Sequence, residues 1–294
     1  MTLVGRGAVT MALAVGWSLL PQVAAAQPFT ADIAHRARGV FPGEAVLLQV
    51  VPSAPVTEVR GTVFTETVHF YPADGGAWHG LVGIDLLVEP GPYDVTLMMR
   101  PVGGAPVQQV YPLTVEPKAY PTRQLKVESR YVEPPAEVTD RIAREFEEQQ
   151  AIFASASSDR LWRGPWAVPV PGRATSAFGS RSVFNGQPRD PHSGADFRAS
   201  EGTPVVAPNG GRVVLAGDTY YSGGSVILDH GWGLYSYFAH LSKILVNTGD
   251  LMESGQTLGL AGATGRVTGP HLHWTLRMNG ARVDPLSVIE ILAE

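Results

Sequence analysis

The C-terminal third of this 294-residue chain concentrates histidine in patterns that could bind a metal ion. Five of the eight histidines follow residue 190, and four of these five lie in three short motifs, one of which also contains an aspartate. In the first motif, His192 lies four positions before Asp196. Pro191 and Gly194 oppose a helix here, so we expect a loop that enters a strand and lets the two side chains converge. A structural hydrogen bond is the commoner role of such a pair.

The other two motifs place histidines on strands. His271 and His273 open an apolar run, and alternate side chains of a strand share a face, so one imidazole can bind a metal while the other faces the reacting group. Same-face histidines are costly in a core without a purpose, but this motif alone leaves a structural role equally open. His240 ends an aromatic run, on the face of Phe238 if the strand is regular. By itself, His240 is better explained as a half-buried structural histidine.

Together, one aspartate and four histidines exceed what a closed structural site needs. A catalytic zinc site typically uses three protein ligands and a water molecule, which leaves two imidazoles free. The pKa of such a water is lowered to about 7, and the reaction needs a base for its proton and an acid for the leaving amine. Histidine suits both tasks near neutral pH, although two imidazoles and a carboxylate also accept other divalent ions.

The three motifs resemble the signature motifs of the lysostaphin-type (LytM-like) zinc metallopeptidases. Other short segments follow in the family's order between Ala174 and Asp284, namely 178–181 (FGSR), 202–205 (GTPV), 249–250 (GD), 255–256 (GQ), 262–265 (GATG), 269–270 (GP) and 284–285 (DP). The resemblance implies that His192, Asp196 and His273 bind Zn²⁺. It also implies that His240 and His271 transfer protons and stabilise the tetrahedral intermediate.

The resemblance extends to details around the motifs. The family often has tyrosine where this chain has Phe238, so a phenolic hydroxyl is absent, which matters only if that hydroxyl contacts substrate. His230 resembles a recurrent position that is not a ligand, and we predict a structural role for it. The segment 183–190 resembles a loop of Gram-negative envelope members. Its Asn185 and Arg189 could contact substrate, but solvated turn residues are the default interpretation.

The rest of the chain predicts a mostly β protein of two units. Residues 27–117 alternate strand-like runs with Pro-Gly and Gly-Gly turns, which predicts a small antiparallel β-sandwich domain. These runs are 45–51, 59–65, 80–88, 93–99 and 108–115. The segment 90–95 (PGPYDV) resembles the turn into a late strand of an immunoglobulin-like domain, so we expect an immunoglobulin-like sandwich. Residues 166–294 return to short β-type runs and predict an all-β peptidase domain. Those runs are 203–207, 211–216, 225–229, 235–240 and 271–278.

Residues 118–165 predict a helical linker between the two domains. Val138, Ile142, Phe146 and 152–153 place apolar side chains at helical spacing, and the acidic run 145–148 is interpreted as a solvated face. Trp162 and Trp166 should anchor the linker on the next domain, with carbohydrate stacking as the alternative. His35, His69 and His79 lack a second ligand at metal-binding spacing, and we predict structural roles for all three.

The composition and the N-terminal residues limit which partners and which cellular compartment are expected. The 22 basic and 27 acidic residues give a net charge of -5, which argues against a nucleic-acid partner. Residues 1–26 predict a cleaved signal peptide, since the apolar stretch 8–20 is short and is followed by three alanines; an uncleaved anchor is the alternative. We predict no membrane span in the mature chain. Cysteine is absent, which excludes disulfides and a lipidated cysteine.

These observations predict an exported enzyme of the periplasm or cell envelope. The expected activity is that of a zinc-dependent peptidoglycan endopeptidase acting on stem peptides, at the D-alanyl-meso-diaminopimelate bond because of the 183–190 loop. An inactive member that binds peptidoglycan and activates an amidase is the first alternative, although no metal ligand is missing. A zinc dipeptidase or carboxypeptidase is the second. The N-terminal unit could regulate, target or cover the groove.

Overall fold

The computed structural model describes residues 29–126, 134–176 and 178–293, so the predicted signal peptide lies outside the described residues. The protein is mostly β, as predicted. In the described ranges, every helix is too short or too polar to cross a membrane.

The N-terminal unit is a seven-stranded antiparallel sheet. Its strands are β1 (Ala31–Arg36), β2 (Ala45–Pro52), β3 (Val56–Val63), β4 (Glu66–Pro72), β5 (Trp78–Gly83), β6 (Gly91–Pro101) and β7 (Val107–Val115), in the order β1-β2-β5-β4-β3-β6-β7. In β6, the buried Val95, Leu97 and Met99 alternate with more exposed neighbours, because successive side chains point to opposite faces. Strands β2, β3, β5, β6 and β7 overlap the five predicted runs, but β5 ends at Gly83 rather than at Val88, and β1 and β4 were missed. An immunoglobulin-like arrangement of the sheet stays a prediction.

In its described residues, 118–126 and 134–165, the segment between the two units contains one strand and one long helix. Strand β8 (Thr122–Leu125) follows the N-terminal sheet in the chain. Helix α1 (Thr139–Ala154) lies where the sequence predicts helical spacing. Its Phe153 is buried, whereas Phe146 is 60% exposed, so only part of the apolar face of the helix is buried. That this segment serves as a linker between domains stays a prediction.

The C-terminal unit is built around a ten-stranded sheet. Its strands are β9 (Ala174–Ser176), β12 (Gly194–Phe197), β13 (Pro204–Val206), β14 (Gly211–Thr219), β15 (Gly223–Gly231), β16 (Leu234–Ile244), β17 (Leu251–Met252), β18 (Thr257–Ala261), β19 (Leu272–Met278) and β20 (Ala281–Val283), along the path β17-β14-β15-β16-β19-β12-β9. Strands β13 and β18 pair with each other, and β20 pairs with β19. The core beneath this sheet contains Phe197, Phe238 and Trp274.

Two smaller elements complete the unit. The segment 183–190 forms a hairpin of β10 (Arg181–Phe184) and β11 (Gln187–Pro188), and β10 pairs in parallel with β8. It is therefore part of a three-stranded sheet. Helix α2 (Pro285–Ile291) was not predicted. Its signal was the pair Asp284-Pro285, since the Asp284 side chain accepts a hydrogen bond from the backbone N–H of Leu286 and proline suits the first helical turn.

Candidate metal centre

Three neighbouring strands bring the predicted site residues to one place. Asp196 on β12 lies directly opposite His273 on β19, and Ala239 on β16 lies opposite His273 on its other side. His192 precedes β12 in a loop, where its backbone N–H donates to the carbonyl of Ser180. The sheet register therefore positions the aspartate and one histidine, and the loop supplies the other histidine.

Gly194 permits the close approach of β12 to β19. A Cβ atom at this position would lie 2.6 Å from the carbonyl oxygen of Trp274 and 2.8 Å from Cε1 of His273. Both distances are shorter than real Cβ contacts, so any side chain here would displace His273. The glycine is thus required for the strand spacing at the site.

His192, Asp196 and His273 present three ligand-type atoms to a common point. His192 Nε2 lies 3.2 Å from Asp196 Oδ1 and 3.1 Å from His273 Nδ1, and His273 Nδ1 lies 2.8 Å from Asp196 Oδ1. Tetrahedral zinc with ligand bonds of about 2.1 Å separates adjacent ligand atoms by about 3.4 Å. Only a small expansion would admit a divalent ion. All three side chains are also 17–23% exposed, which leaves the point open to solvent.

The electrostatics of this group favour metal binding. Burial opposes ionisation of Asp196, but hydrogen bonds and charge from His192 and His273 outweigh it and hold the pKa of this carboxyl well below its ordinary value. Burial also lowers the pKa of His273, which keeps the imidazole neutral with a lone pair available. A carboxylate and neutral imidazoles are the protonation states that zinc requires.

Thr275 orients the His273 ring. His273 Nε2 lies 2.9 Å from Thr275 Oγ1, which is two positions along β19 and on the same face. A hydrogen bond at Nε2 fixes the ring so that Nδ1 faces Asp196. The sequence analysis missed Thr275. The alternation that pairs His271 with His273 could have identified it.

His240 is held in an uncommon backbone conformation. Its φ is 66°, in the left-handed region that non-glycine residues seldom adopt. Its backbone N–H donates to the carbonyl of Ser222 at 2.8 Å, and its Nδ1 lies 3.0 Å from the carbonyl of Thr264. Because a carbonyl only accepts, Nδ1 must carry the proton and Nε2 keeps its lone pair. Burial and the neighbouring His273 and His271 lower the pKa of His240 to about 4.

His271 has the same tautomer for the same reason. Its Nδ1 lies 2.9 Å from the carbonyl of Gly269, so Nδ1 donates, and its Nε2 lies 3.9 Å from Asp196 Oδ1. The His240 and His271 ring centroids are 4.8 Å apart. The structure therefore places both imidazoles beside the three ligand-type residues, with Nε2 of each ring unprotonated when the ring is neutral.

One expectation about β16 is wrong, and the condition attached to another is not met. The strand does not end at His240 but continues to Ile244 across a register break. A shared face for His240 and Phe238 was expected only for a regular strand, and the left-handed backbone of His240 and the register break make the strand irregular here. Phe238 is fully buried and stacked on Trp274, so the hydroxyl that this position lacks would not face the groove.

The other sequence-selected side chains have packing contacts. Trp162 and Trp166 are 3% and 5% exposed in the core of the C-terminal unit, which excludes carbohydrate stacking. His35 bonds to the hydroxyl of Tyr111, His69 stacks on Trp232, and His79 contacts the ring of Tyr71. The sequence 185–189 belongs to the β10–β11 hairpin rather than to an unpaired loop.

His230 lies in the interior, with both ring nitrogens bonded. Nδ1 lies 2.7 Å from the carbonyl of Gly210 and Nε2 lies 2.9 Å from Ser236 Oγ. These are the contacts of the structural role that the sequence predicts. Burial lowers the pKa of His230 from 6.5 to about 4. The folded state thus excludes a proton that the unfolded state accepts below pH 6.5.

We therefore expect His230 to reduce stability in acid. Its contribution is intact above pH 6.5 and is lost as pH falls towards 4; between pH 7.5 and 5.0 the loss is about 2 kcal/mol of unfolding free energy. Urea unfolding at both pH values should show that this loss is absent from His230→Asn. The exposed-histidine variant His35→Asn should retain it. Equal losses in all three proteins would refute the assignment.

Comparison with known proteins supports a family assignment. Residues 190–285, which include all five site residues, match Peptidase family M23. A crystal structure of a candidate M23 peptidase from Pseudomonas aeruginosa is 34% identical, with a TM-score of 0.68, and the match covers 86% of this chain and 96% of that one.

Curated relatives match over shorter ranges. The peptidoglycan DD-endopeptidase ShyA of Vibrio cholerae is 38% identical over 141 residues, which cover 47% of this chain and 33% of ShyA. The DD-carboxypeptidase/endopeptidase Mpg of Neisseria meningitidis is 40% identical over 97 residues, which cover 33% of this chain and 22% of Mpg. The chain thus spans a third or less of the length of these two relatives. The near full-length match to the Pseudomonas protein is what decides the assignment: the chain belongs to peptidase family M23.

Proposed function

We propose that this protein is a zinc-dependent endopeptidase that hydrolyses amide bonds in the cross-link peptides of peptidoglycan. The observation that carries the proposal is the convergence of His192, Asp196 and His273 on one partly exposed point, with two further imidazoles beside it. Three ligands, an open position and spare proton-transfer groups are the components of a hydrolytic zinc site.

In this proposal, His192 Nε2, Asp196 Oδ1 and His273 Nδ1 bind the zinc ion. The chemistry that zinc supplies when bound is polarisation of the scissile carbonyl and a lowered pKa of the attacking water. Asp196 is ionised and His273 is neutral at pH 7, so neither residue needs a change of protonation state to serve as a ligand. Thr275 keeps Nδ1 of His273 directed at the ion.

His240 acts as the general base and His271 stabilises the oxyanion. The lowered pKa of His240 leaves its Nε2 unprotonated at neutral pH, while the Thr264 carbonyl holds the proton on Nδ1. His240 therefore accepts the proton of the attacking water at Nε2. His271, oriented by Gly269, donates a hydrogen bond from Nε2 to the oxyanion when it carries a second proton. The proton that His240 took from the water then passes to the leaving amine, which returns His240 to its neutral form.

The proposed substrate is the D-alanyl-meso-diaminopimelate cross-link. The names of two relatives support this choice, since ShyA is a peptidoglycan DD-endopeptidase and Mpg is a DD-carboxypeptidase/endopeptidase. Such a substrate requires a location outside the cytoplasm, in agreement with the signal peptide predicted for residues 1–26. We accordingly propose the periplasm or cell envelope as the site of action.

Two alternatives to an endopeptidase are an inactive activator, which releases no product, and a carboxypeptidase, which releases a different product. An inactive peptidoglycan-binding activator of an amidase is disfavoured because all five side chains are present and converge. A carboxypeptidase is favoured by one observation, the dual activity in the name of Mpg. It would release terminal D-alanine, whereas an endopeptidase converts cross-linked muropeptide dimers into monomers.

The test is digestion of purified sacculi by the mature protein, with its zinc content measured beforehand by mass spectrometry. We expect one zinc per chain, and we expect dimers to disappear from the muropeptide profile with matching growth of monomers. Activity should vanish after chelation and return on addition of Zn²⁺. Zinc-loaded protein that binds sacculi without altering the profile would establish the activator instead.

A further inference from the structure

Helix α1 packs on the face of the C-terminal sheet that carries the site histidines. Along β19, His273 and Arg277 share one face, whereas Trp274 points into the core on the other. Phe153, near the end of α1, lies 5.2 Å from the Arg277 guanidinium and 5.7 Å from the ring of Tyr235. The helix thus covers part of the catalytic face, although it lies outside the residues 190–285 that match the family.

The middle of α1 holds the turn between β14 and β15. Glu145 Oε2 accepts a hydrogen bond from the backbone N–H of Tyr220 at 2.8 Å, and its Oε1 accepts one from Arg141 Nε at 2.6 Å. Arg141 in turn bonds to the Asp218 carboxylate at 3.0 Å. Glu145 is only 18% exposed, so the prediction of a wholly solvated acidic face is wrong at this residue.

The same turn fixes His240. The Ser222 carbonyl, two residues after Tyr220, accepts the His240 N–H at 2.8 Å. A left-handed backbone at a non-glycine residue persists only where its surroundings hold it in place. A displacement of the turn would therefore release the backbone of His240.

The turn also interlocks with the loop that holds the His240 ring. Gly224 donates its N–H to Thr264 Oγ1 at 2.9 Å, and the Thr264 carbonyl is the partner of His240 Nδ1. A Cβ atom on Gly223 would lie 2.3 Å from Thr264 Oγ1, so the two segments are in direct contact. Movement at Tyr220 would thus reach both the backbone and the side chain of His240.

We propose that Glu145 is a positioning residue that holds His240 in its working conformation through the Tyr220–Ser222 turn. The catalytic unit then includes α1 as well as the family-matched residues. The kinetic consequence rests on the proposed function, because it takes His240 as the general base. The structural consequence does not depend on that function.

Hydrogen exchange tests the structural consequence. In Glu145→Ala, the amides of Tyr220 and His240 should both exchange faster by about tenfold or more. Glu145→Gln should retain the protection, because its amide oxygen still accepts the Tyr220 N–H. Glu148→Ala, which removes an exposed carboxylate from the same helix, is the matched control and should exchange like the wild type. Faster exchange at Tyr220 alone would overturn the proposal.

Steady-state hydrolysis of muropeptide dimers tests the kinetic consequence. We expect Glu145→Ala to lower kcat by about 10- to 100-fold with KM and zinc content unchanged, since small displacements of a reacting group have effects of this size. Glu145→Gln should restore most of kcat. A merely structural role predicts a lower melting temperature with an unchanged kcat per folded, zinc-loaded molecule, and that result would also overturn the proposal.

The hydrogen-exchange and kinetic experiments distinguish a failure of this proposal from a failure of the proposed function. If the wild type does not hydrolyse dimers, the proposed function fails, and hydrogen exchange still decides whether Glu145 holds His240. Should Glu145→Ala fail to fold, Arg141→Ala removes the residue that fixes Glu145 Oε1 and must show the same paired changes at Tyr220 and His240 in smaller degree. Unchanged exchange at both amides in that variant would count against the coupling.

Discussion

Replacing His273 with alanine should abolish zinc binding and peptidoglycan hydrolysis together. The change removes the Nδ1 atom that lies 2.8 Å from Asp196 Oδ1 and 3.1 Å from His192 Nε2. The remaining imidazole and carboxylate form an incomplete zinc site. Zinc per chain after dialysis, measured by mass spectrometry, should fall from one to near zero, and sacculi should retain their dimers.

Two variants show whether this loss is specific. Thr275→Val keeps all three ligands but removes the hydrogen bond to His273 Nε2, and we expect zinc affinity to fall by about 10- to 100-fold. His35→Ala removes an exposed histidine of the N-terminal sheet and should leave zinc content and hydrolysis unchanged. Full zinc content in His273→Ala would contradict the ligand assignment, whatever the activity.

A fragment of residues 165–294 should be less stable and less active than the mature chain, not faster. Leu47 and Leu81 of the N-terminal sheet are buried in the same core cluster as Met278 of β19. Asp85 also forms a two-point ion pair with Arg282, at 2.6 and 3.0 Å. Uncovering two or three such apolar side chains costs about 1.5–3 kcal/mol each, a large part of a typical stability of about 5–15 kcal/mol.

The position of the N-terminal sheet argues against its covering the site. Its contacts include Met278 of β19 and, through Asp85, Arg282 of β20, and His273 lies five residues before Met278, or about 17 Å at the rise of a strand. His69 likewise stacks on Trp232, at the start of the β15–β16 turn and away from His240. Removing β1 to β7 is therefore expected to expose the core beside Met278 rather than the groove at the candidate metal centre.

Thermal unfolding and sacculus digestion check this expectation. The fragment should melt about 10–20 °C below the mature chain, since about 1 kcal/mol corresponds to roughly 2–4 °C in a protein of this size. A fragment that begins at Pro135, and so keeps α1, should recover part of the hydrolysis. A faster fragment with an unchanged melting temperature would support an inhibitory cover.

The strands and turns were largely predictable because they follow local patterns. Alternating apolar residues in 93–99 and 108–115 correspond to β6 and β7, and helical spacing near Ile142 corresponds to α1. Strand β1 escaped because exposed side chains interrupt its alternation, as at His35, whereas β4 was missed although its buried Val68 and Phe70 alternate with less buried neighbours. Local pattern also could not show that β8 pairs with β10, because paired residues of the two strands are 59 positions apart in sequence.

The sequence identified the candidate metal ligands, but it did not show which other residues contact and orient them. The motif types and their family resemblance single out His192, Asp196 and His273. Thr275 and Thr264 were missed, because a threonine has no metal-binding signature and acts here only through its contact with a histidine. Glu145 was interpreted as solvated because its partner is a backbone N–H, which no sequence pattern displays.

The sequence by itself determined the family resemblance, the mostly β composition and the five side chains proposed for the site, because residue type and short-range spacing carry that information. The tertiary structure alone decided how those side chains face one another. The register that sets Asp196 against His273, the left-handed backbone of His240 and the contact from α1 all depend on residues far apart in the chain. Long-range pairing is fixed by packing of the whole molecule, and short segments do not encode it.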